Sequence, residues 1–480
     1  MFSSVNFFYN LCFFSEYFSS YLVIVFLVLL VSSTVYTPLS GNHFKKFIGH
    51  FSKKVFLTLL TFLLFWFILK IYTDLHVGYN FYVFVGLQPC LTFSSHFSDT
   101  LVCLSILTSF ISWVYLSERY MSRSDYNIFY FLIFIVCTVQ MTSSYDLFRM
   151  FIYFEFLFLP SLYFVYIFGY SKKVDITVNF LLKWTLSGSF LVLLGICSLY
   201  QVTGSLDIII ISSYKFTNAE LFFYFFIFFI GFGVKLPIWP LYYWLTKVHV
   251  EAPTGFSIFL SWLLVKTAFF CLVFFIYILN NTVYVTVSLG IILWGSIDAS
   301  VRMWTSTDIK RLIAFATIQE MNLIFLFLFL LSTGNYRVLN CFLLVHGLLS
   351  SFLFFLVDQV QKQFNSRNLI LLGGLSLFVP IISFFIWVAI LIFRGFPAFV
   401  KFLIEWELLT SLMVNFGFFG FFLFFLIGFF GVIGFCRVWL LALYGSSKRV
   451  LKKDMLKQDL TLAAFISTTL FGLNNFFYFF

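Results

Sequence analysis

Two lysines stand inside apolar stretches of this 480-residue chain, where a charged side chain is costly. Lys235 lies two residues before Pro237, and Lys266 lies deep in the next apolar run. An ionised group at the centre of a bilayer costs about 3 kcal/mol on insertion scales, so such residues are rare and usually functional. A buried lysine whose acidic partner moves away tends to release its proton. The two lysines therefore predict proton transfer as the chemistry of this region.

Acidic and imidazole side chains in other apolar stretches are the candidate partners of these lysines. Glu155 lies midway through an aromatic run, Glu320 lies in another apolar run, and Glu405 follows the sequence Gly395-Phe396-Pro397. His346 is a lone histidine in an apolar run, and an imidazole with a pKa of about 6.5 in water suits proton exchange near neutral pH. A structural role is the alternative for each: pairing to a neighbouring helix for the glutamates, and packing for the histidine.

Four further basic residues lie in or beside the apolar stretches without matching a proton-transfer pattern: Lys183, Arg394, Lys401 and Arg437. Long cationic side chains can place their charge at the membrane surface while their methylenes stay in lipid. We therefore expect these four to lie at interfaces or to contact a neighbouring subunit. Glu407 is two residues beyond Glu405 and points to another side of the same helix, so we expect it to contact polar groups or a partner.

The composition indicates which elements position these side chains. Of the 480 residues, 62% are hydrophobic and 10% are charged, and the mean hydropathy is +1.03. A transmembrane helix needs about 20 apolar residues, so the chain can form well over a dozen. The sequence therefore predicts an all-α polytopic membrane protein. Hydropathy places about fourteen transmembrane spans near residues 20–36, 55–72, 100–117, 128–143, 146–168, 178–199, 221–246, 254–279, 282–300, 308–331, 337–357, 368–413, 415–444 and 459–479.

Two of the predicted spans are interrupted, the seventh at Pro237 and the twelfth at Gly395-Phe396-Pro397. Spans 4–8 and 9–13 form two sets of five, each with its break in the fourth helix. Because five is odd, consecutive sets are inverted in the membrane, and interrupted helices at matching positions of inverted repeats point to a transport site. The sequence thus predicts four parts: spans 1–3, the first repeat, the second repeat, and a terminal loop with span 14. Their boundaries are residues 1–127, 128–280, 281–444 and 445–480.

The basic residues predict the orientation of the chain. Loops after odd-numbered spans carry most of the lysines and arginines, for example Lys45, Lys46, Lys172 and Lys173. By the positive-inside rule these loops face the cytoplasm or the mitochondrial matrix, and both termini face the opposite side. The first 20 residues contain no Lys or Arg, unlike an Arg-rich presequence. For an organellar protein we therefore expect synthesis inside the organelle.

Several classes of site are not indicated. The eight cysteines are scattered singly, without CxxC or another metal-ligand spacing, so we expect no metal centre, iron–sulfur cluster or disulfide framework. No hydrophilic segment is long enough for a separate domain, so we expect no nucleotide, flavin or NADH module in this chain. The net charge of +10 comes largely from short loops between spans and does not indicate nucleic-acid binding.

The stretch around the two lysines resembles chain 4 of mitochondrial NADH dehydrogenase, a subunit of respiratory complex I. The family pattern VKMP…WLPKAHVEAP, with a lysine in the next helix, matches residues 234–237, residues 244–253 and Lys266. KxHVEAP together with TDIKR separates chain 4 from its antiporter-like paralogues, chains 2 and 5. Two further family motifs match residues 307–315 (TDIKRLIAF) and residues 346–351 (HGLLSS). Residues 151–160 resemble the family helix that carries an early glutamate, and residues 186–189 fit the next helix. Residues 396–405 fit the family's broken helix.

The chain departs from the family pattern at four positions. Thr246 stands where the family has proline, and Ile404 stands where it has glycine. Lys401 stands where the family has asparagine. The family's histidine in the SHM or AHMN string is replaced by Glu320, in the sequence Gln-Glu-Met-Asn. If that histidine relays protons, Glu320 must take over its role or the route differs.

The resemblance implies a proton-translocating, antiporter-like subunit of NADH:ubiquinone reductase in the mitochondrial inner membrane. It implies no redox site or cofactor in this chain, since FMN, iron–sulfur clusters and ubiquinone are expected in other subunits. The implied partners are other membrane-arm subunits, especially those like chains 2 and 5, and lipids such as cardiolipin. The implied relay consists of Glu155, Lys235, Lys266, Glu320, His346 and Glu405.

Two alternatives remain open from the sequence. A subunit of a multi-subunit sodium/proton antiporter shares many of the same buried charges, although the KVHVEAP string and the chain length argue against it. A structural membrane-arm subunit that no longer pumps is the second alternative, because Glu320 replaces the family's histidine. Purification with or without flavin and iron–sulfur subunits, and the number of protons moved per electron, distinguish these alternatives.

Overall fold

The computed structural model describes residues 124–144, 146–169, 174–278, 285–330, 336–364 and 366–446, with short pieces between 459 and 470. Predicted spans 1–3 and most of span 14 lie outside the described residues. Within the described part the chain folds into α-helices, with short π and 3-10 turns and two isolated β-bridges. The all-α prediction is confirmed.

The helices, numbered in chain order, follow the predicted spans closely. Their bounds are α1 Ser124–Ser143, α2 Leu147–Phe156, α3 Phe158–Phe168, α4 Val174–Thr203, α5 Ile208–Ser213, α6 Asn218–Lys235, α7 Tyr243–Glu251, α8 Thr254–Phe259, α9 Val265–Ile278, α10 Val285–Thr305, α11 Ile309–Leu330, α12 Tyr336–Phe364, α13 Leu375–Phe378, α14 Pro380–Phe393, α15 Val400–Phe416 and α16 Phe418–Tyr444.

Seven helical segments within the described residues are long and apolar enough to cross a membrane. They differ in how much of their surface the protein covers. The segment Ile309–Leu330 is 89% buried within the chain, whereas Phe418–Tyr444 is only 28% buried and exposes a row of phenylalanines. A helix that is apolar all round but exposed requires lipid or a neighbouring subunit as its environment. These observations confirm a polytopic membrane protein.

Both predicted helix breaks are present. Helix α6 ends at Lys235, and the chain turns through Pro237 before α7 begins at Tyr243. Proline cannot donate the backbone hydrogen bond that would continue the helix. The second break separates α14 from α15, and Gly395 within it has φ +63°, a backbone conformation that glycine adopts without steric cost.

A π-helical turn, Leu260–Leu264, joins α8 to α9. The backbone N–H of Val265 bonds to the carbonyl of Leu260, five residues earlier, instead of four. Such turns are rare and occur often at functional sites. Close packing fixes this turn against α12, because the indole of Trp262 lies where a Cβ at Gly347 would be.

Candidate functional site

The first predicted pair meets inside the bundle. Lys235, the last residue of α6, donates to Glu155 Oε1 on α2 over 2.6 Å. Ser189 on α4 donates to Glu155 Oε2 over 2.8 Å. The lysine ammonium also lies 4.1 Å from the ring centroid of Phe154. The lysine is only 9% exposed, so this ion pair is held in a region of low dielectric.

Close approach of α4 to α6 supports this geometry. A Cβ at Gly188 would lie 2.6 Å from the carbonyl oxygen of Gly231, so a larger residue does not fit between the two helices. Gly188 precedes Ser189, whose hydroxyl reaches the carboxylate of Glu155. The small residues therefore place a third helix against the ion pair.

A cavity of about 40 Å³ borders Lys235. Its lining includes the polar residues Ser161, Thr185 and Thr267 among apolar side chains. A water molecule needs a cavity of about 10–15 Å³ and two or more polar partners, so this cavity has room for more than one water. Since Thr267 is next to Lys266 in the chain, the cavity extends from the first lysine toward the helix of the second.

Lys266 is fully buried on α9. Its ammonium donates to the backbone carbonyl of Ser261 over 2.6 Å, within the π-helical turn. The hydroxyl of Ser261 lies 3.2 Å from that of Ser350 on α12. The ammonium of Lys266 also interacts electrostatically with the carboxylate of Glu320 on α11. The π-helical turn thus holds the second lysine on a backbone oxygen, facing the second half of the chain.

A second ion pair lies at the second helix break. Lys401 on α15 donates to Glu320 Oε1 over 2.5 Å and to the backbone carbonyl of Phe393 over 2.7 Å. Glu405, one helical turn further on, places Oε1 at 3.6 Å from the same ammonium. The side chains of the Glu320–Lys401 pair are 5% and 4% exposed. One lysine therefore lies between two carboxylates and the end of α14.

His346 on α12 lies beside this second pair. Its Nε2 is 3.9 Å from Glu320 Oε2, which is too long for a hydrogen bond. Neither ring nitrogen has a hydrogen-bond partner among the described protein atoms. The imidazole is 1% exposed and lies within electrostatic range of Lys266 and Lys401. It can exchange a proton with Glu320 only after a small movement or through a bridging water.

All six residues predicted for the relay therefore lie in the interior of the bundle or on its partly buried edge. We call them, together with Lys401, the buried row, which consists of Glu155, Lys235, Lys266, His346, Glu320, Lys401 and Glu405. Successive members are joined by ion pairs or by electrostatic contact, apart from the step between the two lysines of the first repeat, which the cavity approaches. The row thus has three basic side chains, Lys235, Lys266 and His346, between Glu155 and Glu320, and Lys401 between Glu320 and Glu405.

The expectation for Lys401 was wrong. We expected its ammonium at an interface or against a neighbouring subunit, but the residue is 3% exposed and ion-paired within the chain. Snorkelling requires a path from the side chain to water, and the carboxylates of Glu320 and Glu405 offer a nearer partner. The signal in the sequence was the spacing of Lys401 and Glu405, four residues apart on one helix face.

The other three basic residues that match no proton-transfer pattern are exposed, unlike Lys401. Lys183, Arg394 and Arg437 are exposed on the surface of the described part of the chain. Arg437 also donates to the backbone carbonyl of Trp304 over 2.6 Å. Glu407 is half-buried on the other side of α15 from the row. Contact with lipid headgroups or neighbouring subunits stays a prediction for all four.

The two most specific sequence motifs contact each other. Lys310, from the TDIKR string at the start of α11, is fully buried and donates to the backbone carbonyl of Ala252 in the HVEAP string. Arg367 donates to the neighbouring carbonyl of Val250. Asp308 accepts from the backbone N–H of Lys310 over 2.8 Å and so caps the start of α11. These contacts tie the loop between α7 and α8 to the start of α11.

No group of three or more His, Cys, Asp or Glu side chains within the described residues could hold a metal ion.

Known proteins are similar to this chain in sequence or in fold. Residues 144–433 match the family described as NADH:quinone oxidoreductase/Mrp antiporter, TM. NADH-ubiquinone oxidoreductase chain 4 of Paramecium tetraurelia is 33% identical over 363 residues, which cover 74% of this chain and 75% of that protein. A chain of the Mrp complex from Dietzia sp. DQ12-45-1b gives a TM-score of 0.77 at 15% identity, covering 95% of this chain and 94% of that one. A chain of respiratory complex I from Thermus thermophilus with bound NADH gives 0.67 at 19% identity, covering 78% and 80%.

Proposed function

Since the chain belongs to the family of membrane subunits of NADH:quinone oxidoreductases and Mrp antiporters, we propose that it translocates protons as an antiporter-like membrane-arm subunit of respiratory complex I. The observation that carries this function is the buried row of lysines and carboxylates in the interior of a helical membrane protein. Charged groups buried in this way are costly unless they are paired, and they commonly mark an ion or proton path.

The first pair loads and releases a proton in this proposal. While Glu155 lies 2.6 Å from Lys235, the carboxylate stabilises the ammonium. When movement of a neighbouring subunit separates α2 from α6, the ammonium loses its counter-charge in a region of low dielectric. It then releases its proton to water in the adjacent cavity, in the direction of Lys266. Return of the carboxylate favours protonation of the amine and completes the cycle.

Lys266 is the central member of the row in this mechanism. Its ammonium interacts with the carboxylate of Glu320, so protonation of Lys266 alters the electrostatic balance of the second half of the chain. The proton then passes toward Glu405, with His346 as a further acceptor beside Glu320. The oxidoreduction takes place in other subunits, where we place FMN, the iron–sulfur clusters and ubiquinone.

The chain is a multi-pass inner-membrane protein, and its partners are other subunits of complex I. We propose that its direct neighbours resemble chains 2 and 5 and that cardiolipin binds at the basic side. The excess of Lys and Arg in loops after odd-numbered spans supports an orientation with both termini toward the intermembrane space.

A sodium/proton antiporter subunit is the second candidate, because the chain shares its fold with a chain of the Mrp complex. That likeness, at 15% identity, shows the fold alone, whereas the 33% identity to an NADH-ubiquinone oxidoreductase chain 4 favours complex I. Copurification of the chain with flavin and iron–sulfur subunits supports the first function. Purification of a complex without them supports the second.

Replacement of Lys266 by Met in the assembled complex tests the proposed function. Methionine is similar in length and polarity to the methylene part of the lysine side chain but cannot carry a proton. We expect NADH oxidation by a soluble electron acceptor to continue, while quinone-linked turnover and proton translocation into the vesicle lumen are lost. The matched control is Lys183→Met, which removes an exposed charge from a neighbouring part of the bundle. Normal proton stoichiometry in the Lys266 variant would leave the chain as a scaffold.

A further inference from the structure

The second half of the chain contains an ion pair that matches the first in position. Glu155 lies on the second helical span of the first predicted repeat, and Glu320 lies on the second span of the second repeat. Lys235 lies at the break of the fourth span in the first repeat, and Lys401 lies at the break of the fourth span in the second. Each repeat thus provides one glutamate and one lysine at corresponding places.

The geometry of the two pairs agrees as well. The N–O distance is 2.6 Å in the first pair and 2.5 Å in the second. The two partners are separated by 80 residues in the first pair and by 81 in the second. Each ammonium lies over a phenylalanine ring, Phe154 at 4.1 Å and Phe393 at 4.3 Å. Two unrelated ion pairs would not be expected to share sequence separation, position at a helix break and an aromatic neighbour.

The two pairs differ in the surroundings of the lysine, which bears on their roles. Lys235 precedes its break, whereas Lys401 follows its break and donates to the carbonyl of Phe393 at the end of α14. Lys401 also has a second carboxylate, Glu405, at 3.6 Å. Among the residues that the structure describes, the second lysine therefore has two neighbouring carboxylates, whereas the first has one.

The second pair explains two of the departures noted in the sequence. Glu320 replaces the family's histidine, and Lys401 replaces its asparagine. The two residues form a close ion pair in this part of the bundle, so each charge has the other as its counter-charge. The two departures therefore meet at one place in the structure.

We propose that Glu320 and Lys401 form a second proton-loading switch, equivalent to Glu155 and Lys235, in which Lys401 passes a proton that arrives from the Lys266 side to Glu405. This inference rests on the proposed function, since it adds a titrating residue to the same row. In the structure the ammonium is closer to Glu320. When the Glu320 carboxylate withdraws, an N–H bond of Lys401 breaks and an O–H bond forms on Glu405, leaving both groups neutral. A proton that arrives from the Lys266 side then reloads the amine, and Glu405 releases its proton.

Substitution by arginine separates a titrating lysine from a structural cation. The guanidinium keeps its proton at all pH values reached in proteins, so it can pair with Glu320 but cannot deliver a proton. We expect complexes with Lys401→Arg to assemble and to oxidise NADH with a soluble acceptor, while quinone-linked proton translocation falls by roughly a hundredfold. Lys235→Arg is the parallel variant and should give the same pattern. Proton translocation at the normal rate in Lys401→Arg would overturn the proposal and leave Lys401 as a positioning residue.

A paired variant keeps the test decisive if arginine does not fit. Glu320→Gln with Lys401→Met removes both charges at once, so neither is left buried without a partner. We expect this double variant to assemble and to lose proton translocation, and normal translocation would overturn the proposal. Exposed Lys183→Met is again the matched control. If Lys266→Met abolishes translocation while Lys401→Arg does not, the proposed function stands and only the second switch fails.

Discussion

Replacement of Glu155 by Gln tests the first ion pair most directly. Glutamine keeps the shape of the side chain and can still accept hydrogen bonds, but it removes the charge that lies 2.6 Å from Lys235. Both side chains are at least three-quarters buried, with 25% and 10% of their surface exposed. The change therefore leaves an ammonium without its counter-charge in a largely buried site.

The expected magnitude follows from the two ways in which Lys235 can respond. Keeping its charge without a partner costs about 3–5 kcal/mol. Giving up the proton at pH 7 costs a lysine in water about 4–5 kcal/mol, which is an upper limit for a buried lysine because burial disfavours the charged form. We therefore expect the closed, protonated state to become less favourable by at most about 3–5 kcal/mol, or at most roughly a hundredfold to a few thousandfold in population.

The assay is proton uptake by proteoliposomes that contain the assembled complex, measured together with NADH oxidation. Turnover of Glu155→Gln should fall by roughly a hundredfold or more, if loading of Lys235 limits the cycle. Ser189→Ala is the graded control, since it removes one hydrogen bond to the carboxylate, and such a bond contributes about 1.5–3 kcal/mol. It should reduce turnover less than the glutamine variant does. Normal translocation in Glu155→Gln would refute the role of the pair.

Two further predictions concern the backbone around the row. Gly395→Ala places a Cβ against the carboxylate of Glu405 and requires a residue with φ +63°; we expect a cost of about 1–2 kcal/mol and slower translocation in complexes that assemble at normal levels on native gels. Unchanged translocation would show that Glu405 can move freely. Lys310→Met removes the buried hydrogen bond to Ala252; we expect a loss of about 1.5–3 kcal/mol, seen as a lower temperature of thermal inactivation. The exposed Arg311→Met is its control, and equal inactivation of both variants would contradict this role.

Much of the described architecture follows from sequence patterns. Apolar runs of about 20 residues identify the spans because lipid requires them, and Pro237 and Gly395 locate the two breaks because they alter backbone bonding and geometry. The contact of Glu155 with Lys235 was expected because the family resemblance implies both residues and an unpaired charge in the membrane is costly. The spans and the breaks could be predicted because each rests on a local requirement.

The position of Lys401 was missed because hydropathy does not specify which side of a helix faces the protein interior. Its partner Glu320 lies 81 residues away, so no local pattern links them. The π-helical turn was also beyond the sequence analysis, since its register depends on how Trp262 packs against Gly347. That turn makes the carbonyl of Ser261 the partner of Lys266, a contact that α-helical spacing alone does not indicate.

The composition of the buried row has a consequence for coupling over distance. It contains three lysines and three glutamates besides one imidazole, so with the lysines protonated and the glutamates ionised these six side chains are electrically neutral as a set. An extra proton at either end gives the set a net charge in a medium where interactions between charges are weakly screened. The energy of that excess falls when another proton leaves the set, wherever it leaves. Uptake at one end and release at the other are thus linked by charge neutrality, and the same proton need not travel the whole length.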